Sequence, residues 1–345
     1  MLGRRCYTGF GVIEASVSRF LKAAWSAESF QTTPPVDWKQ EPRPFRVITV
    51  TSNKGGVGKT TLACNLAVYI RAMREDLPIL ILTLDDQLVL DRMFSTDGRA
   101  PARTLLDALR SGDLSSAIEP GQFGIHYAPA SRSAAELKST VTDLFHLQRV
   151  LENCGWHGLV LIDTKSDFEI LTQNAIMASD LVMVVVKDYT SLLEAQRVFV
   201  FLESMNRPRE TARIVLSLMD LRVKFKTGPA DVLELLVSEI RKRGYPLFGS
   251  FVSRSAKIEA LHTNPEACVH SIMHGAQNSI AHRQMALLAD EVLGCLDLPP
   301  YGADEASGSE DPPPWKTAAL RVGNIASRGS ESAIAHPSTG AANSF

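Results

Sequence analysis

Cysteine is scarce in this sequence, long apolar runs are missing, and neither sign of charge dominates. The five cysteines, Cys6, Cys64, Cys154, Cys268 and Cys295, are scattered, odd in number and never spaced C-x-x-C. Neither a zinc site nor a dithiol redox motif is indicated, and buried reduced thiols in a cytosolic protein are the simpler reading. No apolar stretch approaches the roughly 20 residues that span a bilayer. Gly9–Ile13 is too short, and too polar in context, for a signal peptide. Lys and Arg number 36 against 38 Asp and Glu, a formal net charge of −2, so the chain does not coat nucleic acid with its whole surface. A local basic patch is still compatible with that balance. The 345 residues are 45% hydrophobic and 21% charged, the composition of a globular protein with a substantial core.

Three regions follow from texture. Residues 1–44 read as a leader, closed by Pro34, Pro35, Pro42 and Pro44, which break regular structure. Within it Val17, Phe20, Leu21, Ala24 and Trp25 share one helical face beside Arg19 and Lys22. Such a face suits a membrane surface or a partner protein, but a helix packed on its own domain, or a disordered leader, is the plainer reading. Residues 299–345 are rich in Ser, Gly, Ala and Pro and read as a tail without fixed structure. Between them, 45–298 alternates short apolar runs with amphipathic stretches.

The strand expectations are Val47–Thr51, Ile79–Leu84, Phe123–Tyr127, Leu159–Ile162, Leu181–Val186, Ile214–Leu218 and Leu247–Val252. The helix expectations are one from about Lys59, then Thr104–Leu109, Leu144–Leu151, Leu192–Met205, Val232–Ile240 and His282–Leu296. This alternation predicts an α/β fold with a mostly parallel, doubly wound sheet and ligands at the strand C-terminal edge.

The strongest motif is Asn53-Lys54-Gly55-Gly56-Val57-Gly58-Lys59-Thr60-Thr61, between an expected strand and an expected helix. Glycines let backbone N–H groups turn inward toward phosphate oxygens, and the helix N-terminus adds partial positive charge. Lys59 is placed to reach the β- and γ-phosphates, and the Thr60 hydroxyl to ligate Mg²⁺. The loop is thus a P-loop for Mg-ATP. It departs from G-x-x-x-x-G-K-T in having Asn53 at the first glycine, followed directly by Lys54.

A lysine at that position marks the deviant Walker A loop, and here the sequence resembles the ParA/MinD family of partitioning and positioning ATPases. The resemblance covers roughly Phe45–Leu298. It implies a P-loop NTPase fold, ATP and Mg²⁺ as ligands, and an ATP-dependent homodimer in which Lys54 reaches the partner's nucleotide while Lys59 acts in cis. Leu82-Thr83-Leu84-Asp85-Asp86-Gln87 is similar to the family's Asp-x-Asp-Pro-Gln, with Thr83 for the first aspartate and Asp86 for the proline. Asp85 then falls on the residue that orients the attacking water. Two carboxylates capping a strand end is the competing reading. Leu159-Val160-Leu161-Ile162-Asp163 is similar to the Walker B strand, which makes Asp163 the Mg²⁺ residue, held through a water. The family continues with Pro-Pro where this chain has Lys165-Ser166. Phe123–Ser131, Ile214–Asp220, Phe248–Lys257 and His282–Leu296 supply weaker likeness.

The resemblance also implies a surface on which the protein works. DNA-binding members use a basic patch, for which Arg222, Lys224, Lys226, Arg241, Lys242, Arg243, Arg254 and Lys257 are candidates, with Arg254 and Lys257 best placed. Ordinary solvated charge is an equal reading of these residues. The implied functions are a ParA-like ATPase that moves or positions DNA or other cargo with an activating partner, or a MinD-like regulator of a membrane or protein machine. A metabolic ligase similar to dethiobiotin synthetase is a third reading, which Lys54 disfavours. The tail lacks the amphipathic helix of membrane-bound members, which favours the first.

Overall fold

The structure, a computed structural model, describes residues 43–96, 100–220, 232–261 and 271–298. The amphipathic leader, the tail, and Arg222, Lys224 and Lys226 lie outside the described residues.

Eight strands form one sheet: β1 (Phe45–Thr51), β2 (Ile79–Thr83), β3 (Glu119–Pro120), β4 (His126–Ala128), β5 (Gly158–Asp163), β6 (Leu181–Val186), β7 (Ala212–Met219) and β8 (Leu247–Ser253), in the order β3-β4-β2-β5-β1-β6-β7-β8. All pair in parallel except the β3–β4 edge. The chain builds outward from β1 to β2 and β4, returns to insert β5, then places β6 on the other side of β1. Beside β1 the winding therefore reverses, which opens the edge where such sheets take ligands.

Strands buried on both faces need helices on both. On one face lie α1 (Lys59–Met73), α2 (Val89–Phe94) and the last helix, Ile280–Cys295. Leu66 and Ile70 of α1 and Leu288 and Val292 of the last helix close over Ile48, Val50, Ile81 and Leu161. On the other face are α3 (Leu105–Ser111), α4 (Ala134–Thr140), α5 (His146–Asn153), α6 (Ile170–Ala178), α7 (Tyr189–Ser204) and α8 (Val232–Lys242). They cover Val47, Leu82, Val160 and Ile162 near the sheet centre, and Val182, Val184, Ile214 and Leu216 beyond it. Strand residues thus alternate between the two cores, as period-two geometry demands. Short helices Ala256–Leu261 and Ile272–Gly275 precede the last one.

The expected strand at Phe123–Tyr127 begins later. Phe123 instead has φ of 62° in a 3₁₀ turn, Gln122–Gly124, with its ring stacked on His274 at 5.0 Å. Ring packing there outweighs the β-propensity of the apolar run. Gly158 opens β5 with φ of 119°, where an added Cβ would stand 2.3 Å from the Pro78 carbonyl oxygen. That oxygen receives the Leu159 N–H, so it cannot withdraw without breaking the β2–β5 start. Gly158→Ala is expected to cost about 2–4 kcal/mol, by left-handed strain plus backbone clash. A denaturant melt unchanged within error would contradict it.

Candidate functional site

β1 runs straight into the Gly-rich loop, and α1 starts at its end. The N-cap of α1 is Gly58 in the left-handed region (φ 91°), and no side chain caps the helix. The first turn of α1 carries no acidic residue either. Its N–H groups and dipole thus face the loop without an internal anion. Gly56 is also left-handed, with φ of 70°. Val57 is fully buried and anchors the loop from beneath, while Gly55 and Gly56 are exposed. A Cβ on Gly58 would stand 3.2 Å from Ser217 Oγ and 3.5 Å from the Leu218 side chain, so β7 braces the loop from behind. Thr61 contributes its carbonyl, which accepts from Asn65 Nδ2 at 2.8 Å.

β5 ends on Asp163, whose register places it beside Val50 of β1 and Thr83 of β2. Asp163 is fully buried. The Thr60 hydroxyl donates to its Oδ2 at 2.8 Å, and the Thr83 hydroxyl to the same oxygen at 3.2 Å. Its Oδ1 is buried with no hydrogen-bond partner. Burial pushes the carboxyl up to about 7, against the pull of the Thr60 hydroxyl and the Lys59 ammonium. A buried carboxylate oxygen without a donor is costly unless a cation meets it. Oxygen donors from Thr60 and Asp163 fit Mg²⁺, and the uncapped glycine-lined helix start fits phosphate.

The two loop lysines diverge. Lys59 Nζ donates to Ser166 Oγ at 2.6 Å, just past the end of β5. Burial lowers its pKa, while Asp163, Asp85 and Asp167 pull it back up. Lys54 instead reaches the start of α7, meeting Asp188 Oδ2 and Thr190 Oγ1, each at 2.6 Å. Asn53 Nδ2 follows it, donating to the Glu194 carbonyl at 3.0 Å.

Asp85 lies two residues past Thr83, half-buried at the same edge, and its N–H donates to Thr83 Oγ1 at 3.1 Å. Burial raises its pKa, as does the neighbouring Asp86, whose own N–H it accepts at 2.8 Å. Lys54–Thr61, Asp85 and Asp163 are therefore gathered at one edge. Arg254 and Lys257 are not: they follow β8, three strands from β1. Arg254 Nε is 2.8 Å from Glu259 Oε1. Thr83, Ser166, Asp188 and Thr190 were not legible as site residues. A signal existed only for Asp188, whose spacing to Ser191 forms a capping box at α7.

Holding Asp163 neutral up to about 7, against about 4 in the unfolded chain, makes the fold bind an extra proton between those values. Stability then falls as pH rises through that window. Asp163→Asn is expected to raise the melting temperature of the nucleotide-free protein at pH 8 and to change it little at pH 4, a gain of up to about 4 kcal/mol. Equal shifts at both pH values in thermal melts would contradict it.

The AAA domain family matches residues 45–212. The chain is 29% identical over 194 residues to the chromosome partitioning protein ParA of Caulobacter vibrioides, covering 52% of this chain and 72% of that protein. It is 28% identical over 218 residues to the chromosome-partitioning ATPase Soj of Thermus thermophilus, covering 62% and 83%. In fold it is similar to the MinC:MinD cell division complex of Aquifex aeolicus, with a TM-score of 0.56 at 20% identity over 72% of this chain and 96% of that one. With a deviant Walker A loop at the switch point of a parallel sheet, this chain is similar in sequence and in fold to the ParA/MinD family of P-loop ATPases.

Proposed function

We propose that this chain is a ParA-like ATPase that closes into an ATP-dependent homodimer and uses hydrolysis to segregate or position DNA or another cargo. The observation that carries the reading is the divergence of the two loop lysines. Lys59 turns inward to Ser166 and Lys54 turns outward to the start of α7. One loop thus offers a cation to its own nucleotide and a second to a facing subunit.

In this reading the loop amides of Gly55–Thr61 and the Lys59 ammonium bind the phosphates, and Thr60 and Asp163 hold the metal. Bound Mg-ATP supplies the γ-phosphoryl group and a divalent charge that draws electron density from it. Asp85, whose carboxyl pKa is raised by burial, accepts a hydrogen bond from water and aims it. Thr83 donates to Asp163 and so fixes the carboxylate that the metal needs. Asp188 holds Lys54 within its own subunit until a partner's nucleotide competes for it.

The cationic surface supports two readings. Lys257 is exposed, as is Arg241, and these favour salt-sensitive contact with DNA phosphates. Lys242 and Arg243 both pair with Glu239, and Arg254 pairs with Glu259, which favours a MinD-like regulator that binds no DNA. Duplex binding with ATP and with ADP, each at two salt concentrations, separates them. ATP-dependent binding that weakens with salt supports the first, and no such binding supports the second.

Lys59→Ala is expected to weaken ATP binding at least 100-fold, an order of magnitude in keeping with loss of a buried charge-assisted contact. Titration calorimetry checks it. Asp85→Ala is expected to bind ATP normally, to lose about 100-fold or more in turnover, and to accumulate the dimer in sedimentation velocity. Turnover equal to the parent would refute the role of Asp85. Lys54→Ala is expected to keep ATP affinity within a few-fold and to remain monomeric with ATP.

A further inference from the structure

The loops after β2 and β5 meet across the ligand edge, and each bears a charge where the family pattern has proline. Asp86 stands on the first and Lys165 on the second. Lys165 Nζ lies 3.6 Å from Asp86 Oδ2, and both side chains are 41% exposed. An open pair at that distance, between two solvent-exposed side chains, does little to brace a fold.

The position of Lys165 argues for another task. It follows Asp163 by two residues and precedes Ser166, whose hydroxyl takes the Lys59 ammonium at 2.6 Å. Its backbone is therefore pinned to the phosphate edge from both sides. Its charge also pulls down on Asp85, which burial and Asp86 push up. Lys54 meanwhile is committed to Asp188 and Thr190, so Lys59 is the one loop lysine turned toward the Asp163 side of the site.

We propose that Lys165 is a second phosphate-directed cation in cis, which reads the terminal phosphate of a bound nucleoside triphosphate, and that Asp86 is the carboxylate from which it is exchanged. The proposal rests on the nucleotide-site reading above and adds the residue that separates triphosphate from diphosphate. A terminal phosphate offers more negative charge than one exposed carboxylate. A lysine on a flexible four-carbon stem can trade one for the other at little cost. Because the diphosphate lacks that group, Lys165 contributes to affinity for the triphosphate alone. Asp86 then works against triphosphate binding slightly, by holding the cation elsewhere.

The test uses the full chain with Mg²⁺, an ATP analogue with an imido β,γ bridge, and ADP, read by titration calorimetry. Lys165→Gln is expected to weaken the analogue about tenfold and ADP less than twofold. Lys165→Arg is expected to restore most of the difference. Asp86→Asn is expected to bind the analogue as tightly as the parent or a few-fold tighter. Equal loss for both nucleotides, no loss for either, or loss in Asp86→Asn matching that in Lys165→Gln would overturn the proposal, the last because it marks a brace between loops. Lys59→Ala run in parallel reports on the site itself: if that variant binds both nucleotides like the parent, the nucleotide-site reading fails instead.

Discussion

A carboxylate sunk at the end of a central strand sets the terms for everything around it. Asp163 is wholly buried, and two hydroxyls share one of its oxygens while the other has no donor. A charge in that setting is expensive by itself. The fold tolerates it because β1 and β2 flank β5 in parallel register, which brings Thr60 and Thr83 within reach and lays the start of α1 alongside. Winding order, loop sequence and local electrostatics thus converge on one point. The same order leaves the edge there free of a covering helix, since the chain departs from β1 in opposite directions.

Much of this was legible in the sequence, and the reasons for the rest are physical. The Gly-rich loop and the apolar run ending in Asp163 are local signals, because their chemistry is written in consecutive residues. Helix α6 went unread for the opposite reason: all residues from Leu171 to Ala178 are buried, so no polar face reveals a 3.6-residue period. The edge strand Glu119–Pro120 is too short to leave a pattern. Thr83 looked like a missing aspartate. Its function as a donor depends on a partner 80 residues away, which only the register of β2 on β5 supplies. Ser166 and Asp188 are of the same kind, meeting Lys59 and Lys54 across 107 and 134 residues.

The two departures from the family pattern, Asp86 and Lys165, face one another rather than standing alone. Replacing two rigid prolines with a pair of opposite charges exchanges fixed backbone for movable side chains. The two loops at this sheet edge therefore respond to charge in this chain more than a proline-bearing pair could. Asp86 pushes the Asp85 carboxyl up and Lys165 draws it down, so its protonation is sensitive to that pair.

The contact that holds Lys54 divides its labour between two oxygens. Oδ1 of Asp188 receives the Ser191 N–H and the Thr190 hydroxyl, which together start α7, and Oδ2 receives the lysine. Withdrawing the lysine leaves the helix cap whole. The ammonium can thus swing outward as a latch lifts from its catch, while the sixteen-residue beam behind it stays seated in the core.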